Sequence, residues 1–148
     1  MANLQLDIVT AERLMYSDEV QSVIAPGTAG ELGILPSHAP LLTSLAPGEL
    51  RVTKDGEQTA IVVSGGFLEV IGNHVTVLAD TAEQADDIDI ERAEAALKRA
   101  EERVAAADSA MDLERALAAM RRSRARVNIG NRRRRRTARG ESSAQPPS

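Results

Sequence analysis

The residues best suited to chemistry lie in Ile88-Asp89-Ile90-Glu91-Arg92-Ala93, at the start of a stretch with helical periodicity. Asp89 and Arg92 are three apart and share a helical face, Arg99 continues that face seven residues later, and Arg122 and Arg126 form an i, i+4 pair further on. If the chain turns back between these stretches, three or four guanidinium groups can converge on one anion, with the fork geometry suited to phosphate. The same residues also fit ordinary N-cap acids and solvated charges, with Glu94 and Lys98 as a helix-stabilising pair. Spacing alone favours the second reading. A second basic set follows, for residues 121–148 hold ten arginines against Glu141 alone, including Arg121, Arg122, Arg124, Arg126 and the run Arg132 to Arg136. Such runs are ordinarily solvated, yet this one can neutralise a strongly acidic surface.

Other chemistry is poorly represented. The sequence has no G-x-x-x-x-G-K-[ST], no H-E-x-x-H and no G-x-S-x-G, and Ser64 before Gly65-Gly66 lacks the preceding glycine of a nucleophile turn. Two histidines and no cysteine make a poor metal set. His38 sits between prolines and His74 beside a tight turn, both places for a structural or solvated imidazole. The expectation is no catalytic residue, no metal and no required cofactor.

At 148 residues the chain suits one domain, or one small domain with an appendage. One Phe, one Tyr and no Trp leave the core to Val, Ile, Leu and Ala. The lack of Cys rules out a disulfide framework. The start lacks a basic region followed by an apolar stretch, and no run approaches about 18 apolar residues, so neither export nor membrane insertion is expected. Charge is uneven: residues 1–85 carry three basic and eleven acidic side chains, and residues 86–148 carry fifteen basic and eleven acidic. An acidic front and a basic end imply different partners for the two parts.

The elements that must position these residues follow from pattern. Leu4, Leu6 and Ile8 alternate with Gln5 and Asp7 as in a half-buried strand. Another strand is predicted over 20–25, stopped by Pro26-Gly27. Residues 49–54 and 58–63 flank Asp55-Gly56-Glu57, and residues 67–71 and 74–78 flank Gly72-Asn73, two strong hairpin signals. Between them, Gly30 to Gly48 contains Pro36, Pro40 and Pro47, which argue for a shaped connection rather than a helix or a central strand. Its Leu32, Ile34, Leu35, Leu41, Leu42 and Leu45 are apolar enough that this loop is expected to pack into a core. Carboxylates on the strands read as a solvated outer face.

The texture changes at Thr81, and from Asp87 to Gly130 there is neither Gly nor Pro. Ala93, Leu97, Ala100, Val104 and Ala107 recur at helical spacing, as do Leu113, Leu117, Met120 and Val127. Asp108-Ser109 separates two helices, with Ser109 and Asp112 resembling a capping box. So short a link requires antiparallel neighbours. The predicted class is therefore α+β: an antiparallel β sandwich over residues 1–85, a two-helix hairpin over 86–130, and a disordered Arg-rich tail over 131–148.

The order of residues from Gly30 to Thr43, Gly-Glu-Leu-Gly-Ile-Leu-Pro-Ser-His-Ala-Pro-Leu-Leu-Thr, resembles the signature of the epsilon subunit of the bacterial and chloroplast rotary proton-translocating ATP synthase. The likeness continues through Pro47, Gly48 and Val63-Ser64-Gly65-Gly66-Phe67 and extends to about residue 130. Ile88-Asp89-Ile90-Glu91-Arg92-Ala93 resembles the I-D-x-x-R-A motif through which some bacterial epsilon subunits bind ATP. The resemblance implies a non-catalytic rotor subunit whose sandwich docks on the gamma subunit and the c-subunit ring. It implies a helical hairpin that moves between compact and extended forms, permitting or blocking ATP hydrolysis. In the extended form, the basic residues Arg121, Arg122, Arg124 and Arg126 match a helix that meets the alpha/beta catalytic hexamer. Carried onto this chain, the nucleotide set is Ile88, Asp89, Arg92 and Ala93, with Glu83, Arg99, Arg122 and Arg126 as weaker additions. Asp86, Asp87 and Asp89 crowd the helix start with negative charge, so phosphates belong on the arginines. Asp89 and Glu83 are left to accept hydrogen bonds from ribose or the adenine amino group. ATP is thus a regulatory ligand, and the implied location is peripheral, at the cytoplasmic face of the cell membrane through the complex. The Arg132 to Arg136 run departs from the family pattern.

Two other functions fit parts of the sequence. An Arg-rich end suits a nucleic-acid-binding module, although the acidic front and near absence of stacking aromatics oppose it. A free-standing nucleotide sensor or adaptor is the other. Co-purification separates the three: gamma and c subunits, nucleic acid, or neither.

Overall fold

The computed structural model describes residues 3–143 and divides into two compact units, residues 1–84 and 85–148. The first holds ten strands: β1 (Leu4–Val9), β2 (Leu14–Val20), β3 (Ser22–Gly27), β4 (Gly30–Ile34), β5 (Leu41–Leu45), β6 (Gly48–Lys54), β7 (Glu57–Val63), β8 (Gly66–Ile71), β9 (His74–Ala79) and β10 (Ala82–Gln84). They run in the order β10-β7-β6-β3-β5-β8-β9-β1-β2, with β4 also on β3. A single pairing, Gly27 with Leu45, joins β3 to β5. The sheet therefore folds at that seam into two layers, β10-β7-β6-β3-β4 and β5-β8-β9-β1-β2.

Between the layers lies an aliphatic core that includes Leu4, Leu6, Ile8, Val20, Val23, Leu50, Val52, Val63, Leu68, Val70, Val75 and Val77. Period-2 alternation delivers these side chains to one side. Both expected hairpins form with two-residue loops. Asp55 and Gly56 take φ of 50° and 81°, and Gly72 and Asn73 take 54° and 63°, the left-handed pair that matches strand twist. Gly66 has φ of 133° between β5 and β9, and a Cβ there would lie 2.0 Å from the Leu78 carbonyl oxygen. No other residue fits.

Gly30 to Gly48 differs from the expectation of a wholly irregular connection, since it contains β4 and β5. Pro36 and Pro40 fall in the turn between these strands and Pro47 after the second, so the ladders lose no donor to them. Its apolar side chains also divide: Ile34 and Leu45 are buried, whereas Leu35 is 64% and Leu42 71% exposed. Strand β2 was not predicted, because Leu14-Met15-Tyr16-Ser17-Asp18-Glu19-Val20 mixes polarity without clean alternation.

The second unit begins with a short 3-10 turn, Ala85–Asp87, followed by α1 (Ile90–Ala105) and α2 (Ala110–Ser143). Asp89 caps α1, its carboxylate accepting the Arg92 N–H at 3.1 Å. Ser109 restarts the chain as predicted, its hydroxyl accepting the Asp112 N–H at 3.1 Å. The helices pack on small surfaces, chiefly Ala93, Ala100, Ala116, Val127 and Ile129.

The helix was expected to end at Gly130, with disorder from 131 onward; instead α2 continues to Ser143. Glycine stops a helix when it adopts left-handed φ, and Gly130 does not. The arginines that follow are good helix formers. Residues 144–148 of the expected tail lie outside the described residues.

Candidate functional site

The motif lies at the end of the hairpin away from its turn. Ile88 and Ala93 are buried and serve packing, while Arg92 and Arg99 on α1 and Arg122 on α2 are exposed and Arg126 is half-buried. Gly130 touches Ile88 and Ile90, which fixes the antiparallel register. At about 1.5 Å of rise per residue, Arg92 and Arg126 then stand within about one turn of each other along the hairpin, as do Arg99 and Arg122. The four arginines thus form two levels, separated by about 10 Å along α1 and about 6 Å along α2. Arg92 and Asp89 are joined through the backbone cap, and the carboxylate keeps a second oxygen. Glu83, the weak addition, lies on β10 opposite Val62 in the first unit.

Other arginines line the hollows of this unit. One of about 340 Å³ sits at the hairpin turn between Arg103, Asp108, Asp112, Arg115 and neighbouring alanines. A second, of about 390 Å³, follows one face of α2 along Asn128, Asn131, Arg132 and Arg135. Arg133 was grouped with a solvated run, but its guanidinium meets Asp86, Nε to Oδ1 at 3.1 Å. Among the described residues, no cluster of three or more His, Asp or Glu side chains could hold a metal ion.

The first unit presents a feature that pattern reading missed. On the outer face of β5-β8-β9-β1-β2, Phe67 pairs with Leu78, Leu78 with Val9, and Val9 with Leu14. Directly opposed residues share a face, so these four form an apolar row across four strands. Phe67 and Leu78 are each 55% and Leu14 56% exposed, and Ile71 (58%) and Leu42 lie on the same face. The available signal was that β8 and β9 carry apolar residues at both parities: Phe67 and Ile71 beside Leu68 and Val70, and Leu78 beside Val77. A strand apolar on both faces needs two covers.

Next to that row lies a polar cluster centred on Asp7. Its carboxylate accepts from the Ser17 hydroxyl at 2.5 Å and meets His74 Nε2 at 2.6 Å, with the Gln5 amide at 3.2 Å. The Ser17 hydroxyl, then His74, hold the Asp7 carboxyl below its ordinary value. His74 thus orients a carboxylate, whereas His38 bonds locally, Nδ1 lying 2.8 Å from the Ala39 carbonyl oxygen. Behind the face, the Asn73 side chain accepts the Ser37 N–H at 2.6 Å, tying the 35–40 turn to the β8–β9 hairpin.

Comparison with known proteins bears on both units. Residues 3–85 match the model of the ATP synthase, Delta/Epsilon chain, beta-sandwich domain, and residues 86–130 that of the ATP synthase, Delta/Epsilon chain, long alpha-helix domain. The ATP synthase epsilon chain of Desulforamulus reducens is 56% identical over 110 residues, covering 74% of this chain and 83% of that one. That of Herpetosiphon aurantiacus is 51% identical over 133 residues, 90% of this chain and 98% of the relative. In fold, the chain is similar to one in the cryo-EM structure of the Euglena gracilis mitochondrial ATP synthase, OSCP/F1/c-ring in rotational state 1. The TM-score is 0.74 at 23% identity, covering 84% of this chain and 79% of that one.

Proposed function

The chain belongs to the ATP synthase delta/epsilon family as a non-catalytic epsilon chain, and we propose that its sandwich docks on the gamma subunit and c-subunit ring to couple rotor and ring. The observation that carries this is the outer apolar row of Phe67, Leu78, Val9 and Leu14. Apolar surface of this extent is stabilised by leaving water, at about 25 cal/mol per Å² covered. No helix among the described residues is long and apolar enough to cross a membrane. Attachment to the cytoplasmic face of the cell membrane through the complex is part of the same proposal. In the double variant Phe67→Ser, Leu78→Ser, both changed side chains are surface ones, so the sandwich should fold while gamma co-purification drops at least tenfold. Unchanged co-purification would remove the outer face from the docking role.

The hairpin is the regulatory part. In its extended form, Arg121, Arg122, Arg124 and Arg126 meet the alpha/beta hexamer and restrain ATP hydrolysis. In its compact form, ATP binds without being hydrolysed, its phosphates on Arg92, Arg99, Arg122 and Arg126 and its ribose or base on Asp89. What supports this is the levelling of Arg92 with Arg126 and of Arg99 with Arg122. Because the helices bury mostly Ala, a ligand bridging them governs the population; at a hundredfold excess over its dissociation constant it contributes about 2.7 kcal/mol. Titrating ATP into the isolated subunit while following the helix-to-helix distance tests this. A response at millimolar ATP that Arg92→Ala abolishes is expected, and an equal response in that variant would refute it.

A further inference from the structure

We infer that Gly130 and Arg133 form a latch with Ile88, Ile90 and Asp86 that holds the hairpin closed, so the arginine run begins as a conformational lock. This rests on the reading above that the hairpin opens and closes. Residues beyond 130 lie outside the matched family domain, yet α2 continues there and returns to the segment just before the motif. Two kinds of contact meet at this point. The first is steric: a Cβ on Gly130 would lie 3.1 Å from Ile88 Cγ2 and 3.2 Å from Ile90 Cγ1, so a larger residue would make these side chains give way, whereas glycine lets the α2 backbone settle this closely without it. Ile88, Val127, Ile129 and Gly130 are all buried around it.

The second is ionic. Arg133 Nε is 3.1 Å from Asp86 Oδ1 and its terminal nitrogen 3.4 Å from Oδ2, with the arginine side chain only 21% exposed. Position gives these contacts leverage. The covalent turn at Asp108-Ser109 already ties one end of the hairpin, and the helices between bury mainly Ala93, Ala100 and Ala116. A fastening at the free end closes the loop, so its loss lets the helices separate along their whole length. It also sets the place of Asp89 and Arg92, one and four residues after Ile88.

The sequence has no cysteine, so spin labels can be placed on the full chain through Glu94→Cys and Ser123→Cys and the inter-label distance measured. The parent protein should show mainly the short distance. Asp86→Arg and Arg133→Asp should each raise the long-distance population at least threefold. Combining them should restore the short distance, and Gly130→Leu should open the hairpin furthest while α2 stays helical by circular dichroism. Single swaps without effect, or a double swap that fails to restore closure, would overturn the latch. ATP hydrolysis by the reconstituted synthase separates this from failure of the regulatory reading. If the variants open the hairpin without changing hydrolysis, the latch stands and the regulatory role falls. If distances do not change while replacing Arg121, Arg122, Arg124 and Arg126 by Ala relieves inhibition, the latch falls and the role stands.

Discussion

The sandwich and the hairpin are built from the same aliphatic vocabulary but differ in what they bury. The sandwich core is filled with Leu, Ile and Val from both layers, whereas the helices meet through Ala93, Ala100 and Ala116 along most of their length, with Ile88, Val127 and Ile129 buried at the free end. A fully buried Leu or Val contributes about 1.5–3 kcal/mol relative to exposure, while Ala offers little more than one methyl group. The first unit is thus a fixed platform, and the second holds a weakly favoured arrangement that a few contacts can reverse. Within one short chain, side-chain size separates the firmly packed part from the lightly packed one.

The largest test of this contrast is Gly66→Ala. The added methyl meets the Leu78 carbonyl in a backbone conformation that side chains rarely adopt, so the sandwich should lose roughly 3–4 kcal/mol by denaturant titration. One methyl group there should matter more than losing the second unit: a chain ending at Gln84 should still unfold in a single cooperative transition. A non-cooperative fragment would break the comparison.

Next, Leu68→Ala should cost about 3 kcal/mol through the cavity it leaves. Ala100→Gly at the helix interface should cost only about 1 kcal/mol, mostly backbone entropy. Equal losses would mean that the hairpin is as firmly packed as the sandwich.

The smallest effect concerns Asp7. A carboxyl depressed in the folded state adds stability that is complete above its ordinary value near 3.8 and is lost as pH falls through the lower folded value. Ser17→Ala removes the largest cause of that depression. Asp7 should then titrate closer to 3.8 by NMR, and the variant should show a small stability deficit at neutral pH that disappears in acid below the folded value.

The sandwich was legible where alternation and turn chemistry agreed: Leu4, Leu6 and Ile8 gave β1, while Asp55-Gly56 and Gly72-Asn73 gave the hairpins. It was less legible from Gly30 to Gly48, because five-residue strands fit between Pro26, Pro36, Pro40 and Pro47, and proline is tolerated near a strand end: the strand expected over 20–25 and stopped at Pro26-Gly27 instead runs from Ser22 through both as β3, Val20 closing β2. In the hairpin, Asp108-Ser109 marked the break correctly. Gly130 misled because glycine serves close approach as well as left-handed turns, and a single sequence does not say which. For the site, guanidinium spacing suggested three or four arginines converging on one anion, but the two levels on the helices depend on the hairpin register, which spacing does not contain. The outer sheet face went unread because Leu42 was expected in a core and Phe67, Ile71 and Leu78 were placed on strands without a face, whereas strand parity turns all four outward.

Strand β1 runs parallel to β9 and lies between it and β2, with Gln5 opposite His74. Tight turns cannot join parallel neighbours, so the first strand synthesised waits for nearly the last before its place in the sheet exists. During translation, β1 and β2 can form a hairpin, but the second edge of β1 stays unpaired and the two layers cannot close until His74–Ala79 has left the ribosome. Closure should therefore be late, abrupt and slow relative to helix formation, as expected of widely separated pairings. The interval before β9 emerges is when the nascent chain is most open to pairing with the wrong strand.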